Sequence, residues 1–125
     1  MYSLGVGRDF SASHYLVGGD WGAENIEHLH RYRLELVLEK KKLDQHGFLV
    51  DIVEVERHLN EVVADFQGKT LNTLVSFGGG NPSIERLATV IYDLVKKRLA
   101  PFRLDAMAVT IREDDIAWTS YRTTL

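Results

Sequence analysis

The hydrophobic residues of this chain change period twice, and that double change limits the fold more than any single motif does. Tyr2, Leu4, Val6, Arg8, Phe10, Ala12 and His14 form one alternating set, and Ser3, Gly5, Gly7, Asp9, Ser11 and Ser13 form the other. Residues 28–40 alternate again: His28, His30, Tyr32, Leu34, Leu36 and Leu38 share a face, opposite the mostly polar Leu29, Arg31, Arg33, Glu35, Val37 and Glu39. From residue 52 the spacing becomes helical, through Ile52, Val55, Leu59, Val62, Val63 and Phe66, then Leu87, Val90, Ile91, Leu94 and Val95. Alternation returns with Ala106, Ala108, Thr110 and Arg112 against Met107, Val109, Ile111 and Glu113, and a last strand is predicted over 116–122. A period of two gives a sheet one buried face, and a period of 3.6 gives a helix one buried stripe. The order β-β-α-α-β-β therefore predicts an α+β chain, an antiparallel four-stranded sheet with two helices covering one face.

Local signals set the boundaries. Gly18, Gly19, Asp20 and Gly22 make residues 17–27 a loop, and Asp44 to Gly47 make a turn. Asp51 caps the first helix in this reading, with Glu54 completing a capping-box-like pair, and Gly68 ends that helix. The run Gly78-Gly79-Gly80-Asn81-Pro82 is a second break, after which Asn81 or Ser83 caps the next helix and Pro82 lies near its first turn. Lys96, Lys97 and Arg98 close that helix, where positive charge complements the helix dipole. Asp114 and Asp115 form a tight hairpin turn between the last two strands.

At 125 residues the chain suits one domain spanning 1–125, with a core modest enough that oligomerisation would bury useful surface. The net charge of −3 argues against a nucleic-acid partner, which usually meets a basic stripe. The one tight basic run, Lys40 to Lys42, is a solvated strand end. With no cysteine there is no disulfide framework, thiolate site or thiol nucleophile. No apolar stretch suits a signal peptide or a bilayer span, so the expectation is a cytoplasmic protein with no membrane partner.

The chemistry concentrates in histidine. His28 and His30 lie at i and i+2 of a strand, on one face and about 7 Å apart at the backbone. Imidazoles converging from there can share a metal through bonds of roughly 2.0–2.1 Å. His14 ends the first strand and falls opposite this pair if the two strands are neighbours. Three histidines would leave a fourth position open, as in catalytic rather than structural zinc sites. The same spacing also fits three separately hydrogen-bonded histidines. His46 in a turn and His58 in a helix stand apart.

Several segments, in order along nearly the whole chain, resemble the 6-pyruvoyl-tetrahydropterin synthase and 6-carboxy-tetrahydropterin synthase family. Phe10-Ser11-Ala12-Ser13-His14 resembles its F-S-A-[SA]-H, and His28-Leu29-His30 its H-G-H. Gly47-Phe48-Leu49-Val50-Asp51-Ile52 resembles its G-[MW]-[VI]-[VI]-D-F, and Leu71-Asn72 the end of L-D-H-x-x-L-N. Asn81-Pro82-Ser83-Ile84-Glu85 resembles its N-P-T-S-E, and Val109-Thr110-Ile111-Arg112-Glu113 the strand carrying its pterin-anchoring glutamate. The resemblance implies a tunnelling fold (T-fold) whose subunits close into trimeric barrels that stack as hexamers, with sites between subunits. It implies Zn²⁺ held by His14, His28 and His30. It also implies a pterin-like small molecule gripped by Glu113, with Ser83, Ile84 and Glu85 lining the same pocket. A carboxylate can take two parallel N–H bonds from a 2-amino-pyrimidinone edge, as it does from guanidinium.

The chain also departs from the family pattern. Glu24 stands where the family's catalytic cysteine precedes the first histidine of H-x-H. Gln67 and Gly68 stand at its Asp-His pair, and Leu29 replaces the glycine between two ligands. Some members with glutamate in place of the cysteine cleave the dihydroneopterin side chain. The resemblance thus implies a zinc-dependent lyase on a dihydroneopterin-type substrate with Glu24 as base, and Glu27 as a rival for that role. The alternative is a catalytically inactive homologue that still binds zinc and a pterin or purine. A third reading is a structural oligomer with a vestigial site.

Overall fold

Strand β1 (Tyr2–His14) and strand β2 (His28–Lys40) run antiparallel along their full lengths, from Tyr2 opposite Lys40 to His14 opposite His28. The computed structural model describes all of residues 1–125. Helices α1 (Ile52–Ala64) and α2 (Ile84–Leu99) follow, then β3 (Ala106–Glu113) and β4 (Ala117–Thr124). The sheet order is β1-β2-β3-β4, every pair antiparallel, so the spatial order repeats the chain order. The predicted α+β architecture is the observed one.

The alternation does what its period requires. Val6, Phe10 and Ala12 of β1, Tyr32, Leu34, Leu36 and Leu38 of β2, and Met107, Val109 and Ile111 of β3 are all buried. They meet Val55, Leu59 and Val62 of α1 and Leu87, Ile91, Val95 and Leu99 of α2 in a single hydrophobic cluster. Helix α2 lies on β3 and β4, while α1 packs against β1 and α2. The opposite face of the sheet carries Asp9, Arg31, Arg33 and Arg112 and is open.

Three boundary details differ from the sequence expectation, and one open choice is resolved. The Asp51 carboxylate accepts the Val53 N–H at 3.0 Å, but Glu54 does not complete a capping box, because it pairs with Arg57 at 2.8 Å. Helix α1 stops at Ala64, since the Asp65, Phe66 and Gln67 amides bend back to the carbonyls of Val62 and Val63. Of the two candidate caps on α2, Ser83 serves, accepting the Arg86 N–H at 3.2 Å, and Pro82 lies just before it. The final strand starts at Ala117, not Ile116. Asp114 and Asp115 take left-handed φ values of 49° and 60°, and the Ile116 N–H closes the turn onto the Glu113 carbonyl at 2.9 Å.

Beyond His14, two asparagine side chains extend β1 by mimicking a neighbouring strand. Asn72 accepts the Tyr15 N–H at 3.0 Å and donates to the Tyr15 carbonyl at 2.8 Å. Asn81 does the same for Val17, at 2.8 and 3.1 Å. These clamps tie the end of β1 to the segments leading into α2, and they fix where His14 sits.

Candidate metal centre

The full register of β1 on β2 brings His14 directly opposite His28, with His30 one step further on the same face. The three rings stand edge to face, centroids 4.6 Å apart for His14–His28 and His28–His30 and 4.9 Å for His14–His30. Each ring is oriented through Nδ1. His14 Nδ1–H donates to the Pro82 carbonyl at 3.0 Å, and His28 Nδ1–H donates to the Ile26 carbonyl at 2.7 Å. His30 Nδ1–H donates to the Asp114 carboxylate. A carbonyl or carboxylate can only accept, so the proton of each neutral ring belongs on Nδ1. That leaves a lone pair on each Nε2, and all three Nε2 atoms are buried without a hydrogen-bond partner.

Three inward lone pairs without partners are costly unless a cation takes them, because a buried acceptor left unpaired loses its hydration. Burial also holds His14 below the usual histidine pKa, assisted by its two histidine neighbours and opposed by the Pro82 hydrogen bond. That shift favours the neutral ring, the state a metal needs. The donor set fits a divalent transition-metal ion.

Glu24 supplies the fourth group. Its ligand atom and those of the three histidines lie within 4.8 Å of one another, with Glu24 Oε2 2.8 Å from His28 Nε2 and 4.0 Å from His14 Nε2. Glu24 sits in a short 3-10 turn, Gly22–Asn25. Asn25 pins that turn by donating to the carbonyls of Leu16 and Gly19 at 3.0 and 2.9 Å and accepting the Trp21 N–H at 2.8 Å. Glu27 is engaged elsewhere, accepting the Thr70 hydroxyl at 2.8 Å.

Glu113, opposite Tyr32 at the end of β3, brings Oε1 to 3.5 Å from His30 Nε2. Burial raises its pKa above the ordinary carboxylate value, Asp114 adds to the rise, and His30 opposes it. Such a carboxylate gains from N–H donors delivered by a ligand. The three helix-start residues are less convergent. The Ser83 hydroxyl is used in capping, Ile84 packs on the core, and Glu85 is exposed, although Pro82 beside them holds His14.

The model of the family described as 6-pyruvoyl tetrahydropterin synthase matches residues 3–124. The chain belongs to that family. An Archaeoglobus fulgidus protein provisionally named 6-carboxy-5,6,7,8-tetrahydropterin synthase is 26% identical over 119 residues, covering 95% of this chain and 94% of that one. The Caenorhabditis elegans 6-pyruvoyl tetrahydropterin synthase superposes with a TM-score of 0.86 at 20% identity, over 98% of this chain and 96% of that one. A Plasmodium vivax 6-pyruvoyltetrahydropterin synthase superposes with a TM-score of 0.83 at 13% identity, over 99% and 98%. That P. vivax structure is of a variant in which a glutamate, described as a catalytic residue, is replaced by alanine. The two structural likenesses establish the T-fold.

Within this family frame, the positions of the expected Asp-His pair have a different task. Gln67 Oε1 accepts the Ser11 N–H at 3.0 Å, the Gly68 N–H donates to the Ser11 carbonyl at 2.7 Å, and the Ser13 N–H donates to the Lys69 carbonyl at 2.9 Å. This segment covers the outer edge of β1 where the strand approaches the site. Asp114, Asn25, Asn72 and the Pro82 carbonyl were not legible as site residues. Asp114 carries a turn signal, which hides its reach to His30 across the sheet.

Proposed function

We propose that this chain is a zinc-dependent lyase acting on a dihydroneopterin-type substrate, with Glu24 as the proton acceptor. The observation that carries this reading is the placement of a half-exposed carboxylate beside three histidines whose Nε2 lone pairs all point inward. His14, His28 and His30 would hold the ion. Zinc, when bound, supplies Lewis acidity toward a side-chain hydroxyl or carbonyl oxygen. Glu113 accepts the N–H edge of the pterin ring in two parallel hydrogen bonds, which favours its ionised form. Glu24, on the other side of the cluster, removes a proton from the side chain and can return it to the product. The P. vivax relative, whose described catalytic residue is a glutamate, supports a carboxylate in this role.

The family also supports a homo-oligomer, and we read the assembly as a trimer or hexamer. Both edge strands lend weight to this. β4 has one unpaired side, as does β1 before Ser11, and β4 leaves Trp118 and Tyr121 exposed. Open edges of this kind favour pairing with another copy.

A second reading has its own support. The amide of Gln67 and the backbone of Gly68 are occupied in holding the β1 edge, which leaves no histidine–aspartate relay from this chain. An inactive homologue that binds zinc and a pterin or purine would tolerate that loss. Incubation of zinc-loaded protein with dihydroneopterin and its triphosphate, with products identified by mass, separates the two. The lyase reading expects a cleaved or rearranged side chain, and turnover lost in Glu24→Gln while pterin binding persists. Pterin binding without turnover would establish the inactive homologue instead.

A further inference from the structure

Of the three histidines, His30 alone has an anionic partner on Nδ1, while His14 and His28 rest on neutral main-chain carbonyls. That partner, Asp114, is itself held firmly. Its Oδ1 accepts the Arg31 N–H at 2.8 Å, and its own N–H donates to the Arg31 carbonyl at 2.9 Å. Residue 114 is thus locked to the main chain of His30's neighbour by one side-chain and one main-chain bond, with Oδ2 left for the imidazole. The lock requires the left-handed φ of 49°, a conformation that aspartate and asparagine tolerate better than most residues.

We propose that Asp114 is a positioning residue for the metal centre, fixing the tautomer and ring plane of His30 and strengthening its Nε2 as a ligand. A carboxylate on Nδ1–H increases the electron density available at Nε2 and adds a negative charge near the ion. Asp114 directly follows Glu113 in the turn, so the same short segment sets both the pterin-facing carboxylate and one metal ligand. This inference rests on the zinc reading for its affinity component, whereas the tautomer component concerns the metal-free chain alone.

Two variants test it. Asp114→Gly removes the carboxylate and accepts the left-handed backbone without strain. Asp114→Asn keeps the turn and an oxygen acceptor but loses the charge. Zinc affinity is measured by competition with a chromophoric chelator, and the His30 tautomer by ¹⁵N NMR of metal-free protein, with thermal melting as a folding control. Asp114→Gly is expected to weaken zinc binding by about 10–100-fold and to release His30 into a mixture of tautomers, with Asp114→Asn intermediate in affinity. Unchanged affinity and an unchanged His30 tautomer in a folded Asp114→Gly protein would overturn the proposal. If wild-type protein binds no zinc yet the tautomer responds to Asp114→Gly, the zinc reading fails while the ring-positioning role stands.

Discussion

Two neighbouring regions of this molecule put their polar groups to opposite uses. The histidine cluster at the ends of β1 and β2 keeps its three inward Nε2 atoms and a carboxylate beside them. The 66–72 segment, a few residues away across the β1 edge, uses its polar groups for hydrogen bonds to Ser11 and Ser13. The first region works through side chains aimed by strand register. The second works through backbone amides and one side-chain amide that secure the strand carrying His14. A cluster of inward-facing lone pairs can therefore stand beside a purely structural segment, because the two draw on different atoms.

The largest effect should come from removing the anchor of the structural region. Phe66 is buried against Phe10, with ring centroids 6.3 Å apart. Phe66→Ala should cost about 3–5 kcal/mol in denaturant unfolding. A cost near zero would mean that the segment is held by its β1 hydrogen bonds alone. On the metal side, His28→Ala should reduce zinc affinity by more than about 100-fold, beyond what losing a ligand's hydrogen-bond partner costs, as read by chelator competition. Unchanged affinity would return the three histidines to separate hydrogen-bonding roles.

The sharpest test of the contrast restores the family pair. Gln67→Asp with Gly68→His should leave turnover no higher than in the wild-type chain and should lower stability by about 1–2 kcal/mol. Gly68 has a φ of 72°, which costs a side-chain-bearing residue that much, and aspartate is too short to keep the Gln67 bond to Ser11. A gain in activity would show that the region still faces the substrate. The smallest effect lies far from both regions, where Arg98 of α2 pairs with Glu61 of α1. The Arg98 hydrogen bond holds the Glu61 carboxyl below its ordinary value of 4.5. A lowered folded-state pKa contributes stability above the unfolded value and loses it as pH falls through the folded one. Glu61→Gln should therefore lower the melting temperature slightly at neutral pH, with the difference fading as the pH falls below the ordinary carboxylate value. A difference that grows in acid would contradict the pairing.

Much of this architecture was legible in the residues. The alternation of 2–14 and 28–40 named the buried face, including Phe10, Tyr32, Leu34 and Leu36, and the helical stripes named Leu59, Val62, Leu87 and Ile91. These are local consequences of backbone period. The failures were local as well. Glu54 carried a capping-box spacing but found Arg57 closer to hand, and Ile116 was drawn into the turn by two left-handed aspartates.

The sequence by itself determined that His28 and His30 share a strand face, since side-chain direction at i and i+2 needs no tertiary information. It also determined, through the order of its motifs, the family to which the chain belongs. Only the tertiary structure decided that Glu24 turns toward the histidines while Glu27 bonds Thr70, and that the Pro82 carbonyl and the Asp114 carboxylate orient the rings. Those choices depend on where a loop and a hairpin come to rest against strands far away in the chain. No period in the sequence encodes that distance.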